Sequence, residues 1–340
     1  MGSLSAANAH LCFDVFKEMS YDHTTENLVF SPLGLLSALA LVLFGARGDS
    51  ASQMEKCEHD TGVHSHIQAF LSEINRFGHS QVHMASGIFA EAAHPFLPKY
   101  LDCIEQLYKL KPENLDFKNN LEEARMRINS WIENKTNGEI KGLLPHNSLV
   151  ASDQLVLSQS KAVQMMRLEG YLKLGSVVEP RVQLLELPDA EDCLSMVILL
   201  PSEDIGLGQV TREITYEKLK HWLNSASMKD TGVVLYLPRL RVDERHEDLT
   251  SILTALGLID VFDHSRANLS GLTAGGGLAV STIIHKAMLE VTEGHSEITP
   301  TTQTSTVENP EIFKVDRPFL FFILHKETWT ILFYGRISNL

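Results

Sequence analysis

Cysteine is scarce in this chain, which has four in 340 residues, and no two have the Cys-x-x-Cys spacing of a zinc or redox site. So few cysteines cannot cross-link a chain of this length by disulfides, which excludes the class of small disulfide-rich secreted domains. Reduced, mostly buried thiols are the simplest interpretation, and a single disulfide is the alternative. The four are Cys12, Cys57, Cys103 and Cys193.

Positive charge is also in deficit. The chain has 29 Lys and Arg against 43 Asp and Glu, so its formal net charge is −14. Binding to nucleic acid or to an anionic membrane needs a basic face that releases counterions, and this composition does not supply one. The sequence therefore predicts no nucleic-acid partner.

Long apolar segments are missing as well. The most apolar early stretch, residues 33–44, has twelve residues, whereas a helix that crosses a bilayer needs about twenty. Residues 1–16 have neither the basic start nor the uninterrupted apolar core of a cleavable signal peptide. We therefore expect a cytoplasmic protein with no membrane insertion, and extracellular release is the alternative.

No Gly/Ser-rich or Pro-rich linker and no internal repeat divides the chain. Helical periodicity dominates the first third, and short apolar runs typical of strands dominate the latter half. This order predicts one α+β domain over residues 1–340. The helical segments are residues 6–19, 33–44, 65–76, 98–108 and 121–134, and the strand-like runs are 182–187, 194–200, 233–237, 319–324 and 330–334.

Catalytic and metal motifs are not convincing. A serine-hydrolase elbow needs a glycine on each side of the nucleophile, and residues 78–82 and 294–298 each lack the second glycine. The histidines and the cysteine within residues 57–66 could hold a metal, but solvated surface histidines are the simpler interpretation. The sequence predicts no enzyme site, no cofactor and no metal.

Two segments depart from the regular pattern. Residues 294–309 are polar and rich in threonine, with Pro300 among them, and a polar segment of this length between buried elements is normally functional or disordered. A strand begins at residues 155–157, but the polar residues 158–161 follow it at once.

Several ordered sequence blocks resemble the serpins, a family of serine protease inhibitors, and within them the ovalbumin-like intracellular clade, clade B. The resemblance covers nearly the whole chain. The blocks are residues 27–32 (NLVFSP), 45–48 (GARG), 128–140 (INSWIENKTNGEI), 194–201 (LSMVILLP), 317–323 (RPFLFFI) and 331–336 (ILFYGR).

The resemblance implies a single domain of about nine helices and three β-sheets, with an exposed reactive loop at about residues 294–315. In an inhibitory serpin, a protease cleaves this loop, which then inserts as a central strand of the main sheet and carries the acyl-enzyme with it. Insertion adds much stability to an inhibitory serpin and little to a non-inhibitory one. The implied partner is a serine or cysteine protease.

The hinge of the loop departs from the family pattern. Inhibitors usually read Glu-Glu-Gly-Thr followed by several alanines, whereas here the hinge consists of Glu293, Gly294, His295, Ser296, Glu297, Ile298 and, after a threonine, Pro300. Proline has no N–H to donate to a central strand, and His295 replaces a glycine. The family spacing places the reactive bond near Asn309–Pro310, where proline after the scissile bond resists most serine proteases.

A second departure is a missing block. In the family, the third strand of the main sheet runs on past the point that corresponds to residue 157, and about twenty further residues follow it. Here that block is missing, and the strand is expected to be truncated. A splice form, a decaying duplicate or a variant of weakened stability would each explain the loss. The sequence predicts a monomer of low stability that tends to associate through the loop and the sheet.

These departures together predict that suicide inhibition is weak or lost. The expected function is that of a non-inhibitory serpin with a binding, storage or chaperone-like role. The alternative is a functional suicide inhibitor of a serine or cysteine protease. If the chain is secreted, as members of this clade can be without a cleaved signal, the sequons at Asn134 and Asn268 would be open to glycosylation.

Overall fold

The structure is a computed structural model that describes residues 2–22, 26–55, 63–74, 83–146, 155–165, 169–188, 193–224, 226–237, 240–246, 249–291 and 309–338. These residues form nine α-helices, one short 3₁₀-helix and thirteen strands. The helices are α1 (Gly2–Asp22), α2 (Pro32–Gly45), α3 (Gly48–Glu55), α4 (Val63–Ile74), α5 (Pro98–Tyr108), α6 (Leu121–Lys135), α7 (Leu207–Glu213), α8 (Tyr216–Trp222) and α9 (Thr250–Ala255).

The strands form two hydrogen-bonded sheets within the described residues, of eight strands in the order β1-β13-β12-β7-β6-β5-β8-β11 and of five in the order β3-β2-β4-β10-β9. The strands are β1 (Leu28–Phe30), β2 (His83–Glu91), β3 (Glu113–Leu115), β4 (Leu155–Met165), β5 (Glu169–Val177), β6 (Val182–Pro188), β7 (Leu194–Pro201), β8 (Met228–Tyr236), β9 (Leu240–His246), β10 (Thr282–Val291), β11 (Glu311–Lys314), β12 (Phe319–His325) and β13 (Thr330–Ile337).

The number of sheets differs from the expected three. β5 pairs with β8 through residues 169–175 and with β6 through residues 173–177. This one strand therefore joins β8 and β11 to the strands that contain the carboxy-terminal hairpin, and two expected sheets become continuous.

β4 also differs from the sequence-based expectation. Rather than stopping at residue 157, it runs for eleven residues through the polar segment 158–161 and is paired on both sides, with β2 and with β10. Hydrogen bonds to two neighbouring strands stabilise the extended backbone of these residues. The low strand propensity of their side chains is a weaker effect.

Helix α2 forms the centre of the core. Its sequence is apolar on every side, and twelve of its fourteen residues are buried. The hydroxyl of Ser31 caps its first turn, and Pro32 occupies the first helical position, where no N–H is needed. The helix ends against the loop at Leu272, whose side chain lies where a Cβ on Gly45 would be.

The carboxy-terminal hairpin of β12 and β13 lies in the interior of the larger sheet, and every residue in both strands is buried. Aromatic rings pack on both of its faces, with Phe322 stacked on Tyr334 at a centroid distance of 4.3 Å. On the neighbouring pair, Gly335 lies directly opposite Phe321. The ring of Phe321 occupies the space that a side chain at position 335 would need.

We expect Gly335→Ala to destabilise the protein by about 1–3 kcal/mol, because its Cβ would lie 2.2 Å from Cε1 of Phe321 and force the core to repack. Urea denaturation followed by circular dichroism measures the change. Gly276→Ala is the matched control, since Gly276 is exposed, lies outside the left-handed region, and a Cβ there would meet no atom within 4 Å. It should change stability by less than about 0.5 kcal/mol. Equal midpoints for the two variants would contradict this account of the hairpin.

Candidate functional site

The ends of the expected reactive loop are held by strands of different sheets. β10 ends at Val291 in the five-stranded sheet, and β11 begins at Glu311 in the eight-stranded sheet. The hinge lies between them, outside the described residues, so its role stays a prediction; it comprises Glu293, Gly294, His295, Ser296, Glu297, Ile298 and Pro300.

The strands that flank the expected insertion position are paired directly with each other. β4 and β10 run parallel through ten consecutive residue pairs, from Val156 opposite Thr282 to Met165 opposite Val291. An inserted strand would have to separate these pairs over their whole length. The structure therefore has the closed, uninserted arrangement of the sheet.

A buried histidine lies at the middle of this closed sheet. His285 of β10 is fully buried, and its Nε2 accepts a hydrogen bond of 2.9 Å from the backbone N–H of Ser31. Because Nε2 is an acceptor, the neutral ring has its proton on Nδ1. The edge of the ring packs against Phe30, with the centroids 6.3 Å apart. In register, His285 lies opposite Gln159 of β4 and His246 of β9.

Ser31 connects this histidine to both sheets. Its Oγ donates to the carbonyl oxygen of Leu332 in β13 at 2.7 Å and accepts from the N–H of Gly34 in α2 at 3.2 Å. Its backbone N–H donates to His285. One fully buried serine therefore joins the amino terminus of α2 to the five-stranded and the eight-stranded sheets.

The candidate reactive bond lies at the start of β11. Asn309 is exposed and has a φ of 53°, a left-handed conformation that asparagine adopts more readily than most residues. Pro310 follows, and Glu311–Lys314 then pair in parallel with β8. The end of the range expected for the loop is therefore a strand, because the buried side chain of Phe313 anchors it to the sheet.

Both sequon asparagines are exposed. Asn134 lies near the end of α6, and Thr136 of the same sequon is buried, where its hydroxyl donates to Ile132 O at 2.8 Å and accepts from Ile140 N–H at 3.2 Å. Asn268 lies in a loop, and its Oδ1 accepts a bond of 2.8 Å from the hydroxyl of Ser270. Neither asparagine is hidden by the fold.

The described thiols and His64, all singled out from the sequence, are buried or half-buried. Cys12 is a buried free thiol, and burial raises its pKa well above the usual value. Cys103 is a half-buried free thiol, Cys193 is half-buried, and Cys57 lies outside the described residues. His64 bonds through Nδ1 to the hydroxyl of Tyr108 at 2.6 Å, and desolvation lowers its pKa.

The described part of the chain contains neither a cluster of metal-binding side chains nor a helix that could cross a membrane. No group of three or more His, Cys, Asp or Glu side chains within these residues has the arrangement of a metal site. Within the same residues, no helix combines the length and the apolar character that a bilayer crossing requires.

Comparison with known proteins identifies the family. A family model described as Serpin (serine protease inhibitor) matches residues 6–160 and 158–340. This chain belongs to the serpin family. The α+β serpin fold and the ovalbumin-like resemblance expected from the sequence are thereby confirmed.

Similar proteins include ovalbumins and human clade B serpins. Ovalbumin of Dromaius novaehollandiae is 37% identical over 384 positions, with 99% of each chain covered. Serpin B3 of Homo sapiens is 34% identical, with both chains covered completely. The crystal structure of uncleaved ovalbumin is 32% identical and superimposes with a TM-score of 0.90 over all of both chains. Maspin is 25% identical at the same TM-score, with 100% of this chain and 99% of maspin covered.

The family match also locates the missing block. The two matched pieces meet at residues 158–160, inside β4. The alignment with Dromaius ovalbumin spans 384 positions, whereas this chain has 340 residues, so at least 44 positions (384 − 340) have no residue here. The deletion expected from the sequence is therefore supported, and the residues that follow it complete β4.

Sequence reasoning missed the bond between Ser31 and His285. The Ser-Pro helix start at residues 31–32 was recognisable, but the two partners are 254 positions apart in the chain. No local pattern distinguishes His285 from the other fourteen histidines, since the chain has 15. Only the tertiary packing of β1, which leads into Ser31, against β10 brings the pair together.

We expect Ser31→Ala to destabilise the serpin by about 2–4 kcal/mol, because it removes a helix cap and leaves the carbonyl of Leu332 without this donor. Thr215→Ala is the matched control: Thr215 caps the exposed start of α8 through a similar bond of 3.3 Å to Lys218 N–H, and its loss should cost about 1 kcal/mol or less. Chemical denaturation of both variants gives the comparison. Similar losses at the two caps would show that the buried connection has no special role.

The two exposed sequons should accept glycans when the chain is expressed through the secretory route. Asn134→Gln and Asn268→Gln should each remove one peptide-N-glycosidase-sensitive mass increment, and the double variant should remove both. Thr136→Ala would be a poor substitute, because it also breaks two buried bonds. Secreted wild-type protein whose mass does not change on deglycosylation would contradict the assignment.

Proposed function

We propose that this serpin does not trap proteases by loop insertion and acts as a non-inhibitory protein with a binding, storage or chaperone-like role. The observation that carries the proposal is the hinge sequence, because His295 and Pro300 stand in the segment that would have to enter between the paired strands β4 and β10. Ten residue pairs would be separated, and the hinge is poorly suited to replace the lost bonds.

The chemistry of the hinge supports this proposal. An inserted central strand must exchange backbone hydrogen bonds with a neighbour on each side, and Pro300 has no N–H. A buried carbonyl left without its donor costs about 1–3 kcal/mol. The family alanines are small enough to slide between strands, whereas Ile298 is branched and large. His295 removes a glycine at the point where the chain must turn.

The other end of the loop also supports a non-inhibitory role. Trapping begins when a protease cleaves the reactive bond, and the candidate bond joins Asn309 to a proline. Pro310 directly precedes β11, which holds the chain against β8 from Glu311 onward. A protease would therefore meet a proline beside a segment already held in a sheet.

The second candidate is a functional suicide inhibitor of a serine or cysteine protease. The completeness of β4 favours it, because both strands that would flank an inserted loop are present despite the deletion. The relatives include human serpins B3 and B7, at 34% identity. In either case the proposed role requires no catalytic residue, and a target protease is the partner only under this second candidate.

For the compartment we propose the cytoplasm, with release to the exterior as the alternative. The free thiols of Cys12 and Cys103 are compatible with a reducing environment. A monomer is the proposed state. Association through the loop and the sheet stays a prediction.

We expect incubation with a panel of serine and cysteine proteases to cleave the loop without forming an SDS-stable complex. The melting temperature should rise by only a few degrees after cleavage, because the loop does not insert. Gel electrophoresis and calorimetry on the same samples measure both results. An SDS-stable complex with the wild-type chain would establish the inhibitory alternative.

Two proline variants complete this test. Pro300→Ala restores a backbone donor in the inserting part of the loop, and we expect it to increase the gain in melting temperature on cleavage. Pro310→Ala is the control, since it lies at the other end, next to β11. If the two variants gain equally, the proline in the hinge is not the obstacle.

A further inference from the structure

β5 has a neighbour on only one side over its first four residues. β8 pairs with residues 169–175, whereas β6 pairs only from Lys173 onward. Among the described strands, none borders Glu169–Leu172 on the side away from β8. Alternate residues of an antiparallel strand direct N–H and C=O away from the partner, so this edge presents backbone groups that another strand could bond. We call Glu169–Leu172 the β5 edge.

The β5 edge also has open space around it. A Cβ on Gly170 would meet no atom within 4 Å, although the neighbouring Leu172 is buried. Tyr171, on the opposite face, leaves 67% of its surface exposed. A strand added at this edge would therefore have room for a side chain beside Gly170 and an aromatic surface beside Tyr171.

The deletion explains why the strand is absent. The family match breaks at residues 158–160, and β5 is the first element after β4 along the chain. Only residues 166–168 connect the two strands, although they belong to different sheets. In the relatives the additional segment therefore precedes the β5 edge by only the eight residues that correspond to 161–168, so it can fold back along that edge.

We propose that the β5 edge is a strand-acceptor site left by the deletion, and that it binds an extended strand of another polypeptide with the chemistry of the lost segment. The strand would bond the backbone of Glu169–Leu172, place one apolar side chain beside Tyr171 and place another in the space beside Gly170. The site does not involve the reactive loop, so it stands whether or not the serpin traps proteases.

A second copy of this chain is a poorer occupant. Each copy has a net charge of −14, which opposes close association. The edge is also short, because β6 occupies the position next to Lys173. Two such edges would pair over about four residues each, so the contact would bury far less surface than the roughly 1,200 Å² of a stable interface. A short separate strand brings neither that charge nor a second folded surface to the edge.

The test uses a synthetic peptide with the residues of Dromaius novaehollandiae ovalbumin that align to the gap at residues 158–160. Fluorescence anisotropy with the full chain should show saturable binding, and the peptide should raise the melting temperature. A peptide of the same sequence with alternate backbone amides N-methylated should bind at least tenfold more weakly, because it lacks the donors. Absence of saturable binding, or equal binding of both peptides, would overturn the proposal.

Two surface variants locate the site. Tyr171→Lys introduces the residue that natural edge strands use against pairing and should weaken binding at least tenfold. Val178→Lys is the matched control, because Val178 is also exposed, at 84%, but lies beyond the end of β5. The affinity of this variant for the peptide should be unchanged. Equal weakening in both variants would place the peptide elsewhere. A dimer of the free chain that Tyr171→Lys dissociates and Val178→Lys does not would assign the edge to a second copy and overturn the proposal.

Discussion

The parallel pairing of β4 with β10 is the constraint on which the rest of this serpin depends. β10 carries the loop at its end and His285 at its middle, and His285 accepts the bond from Ser31 that places the start of α2. Helix α2 fills the centre of the core, and Ser31 also bonds β13 of the other sheet. Separating β4 from β10 would therefore disturb a helix start, a buried histidine and the contact between the sheets.

The same pairing explains how the chain retains its fold despite a deletion inside a strand. Residues 158–161 are poor strand formers, yet they complete β4 because β2 and β10 offer backbone partners along their whole length. A backbone hydrogen bond contributes about 0.5–1.5 kcal/mol, whereas strand propensities span about 1 kcal/mol in total. Hydrogen bonding to a strand on each side therefore outweighs the low strand propensity of these residues, and the sheet stays closed.

Local sequence patterns predicted those helices and strands that are determined by residues close together in the chain. The expected helix at residues 98–108 coincides with α5, the Ser-Pro start and the glycine end bracket α2, and residues 319–324 and 330–334 lie in β12 and β13. β2 was not predicted, because Gly87 and several small residues give it a weak strand pattern. The residue that packs beside Gly87 is distant in the chain, since the indole of Trp131 fills the space there. The completion of β4 was missed for the same reason, since its partners are up to 126 positions away (282 − 156).

The residues of the candidate hinge could be identified from the sequence, but the structure around them could not be predicted. The unusual hinge can be read directly, because proline and histidine have fixed chemistry wherever they stand. The structure adds the resistance that the hinge would meet, which is a ladder closed over ten residue pairs and connected to the core through His285.

Deletion and hinge therefore have separate consequences. The deletion leaves the main sheet intact and moves the unpaired strand edge to β5 in the other sheet. An edge there is remote along the chain from the loop, which leaves β10 at Val291. The loss of a strand thus changes what this serpin can bind without opening the sheet, while the hinge sequence bears on whether the sheet can open at all.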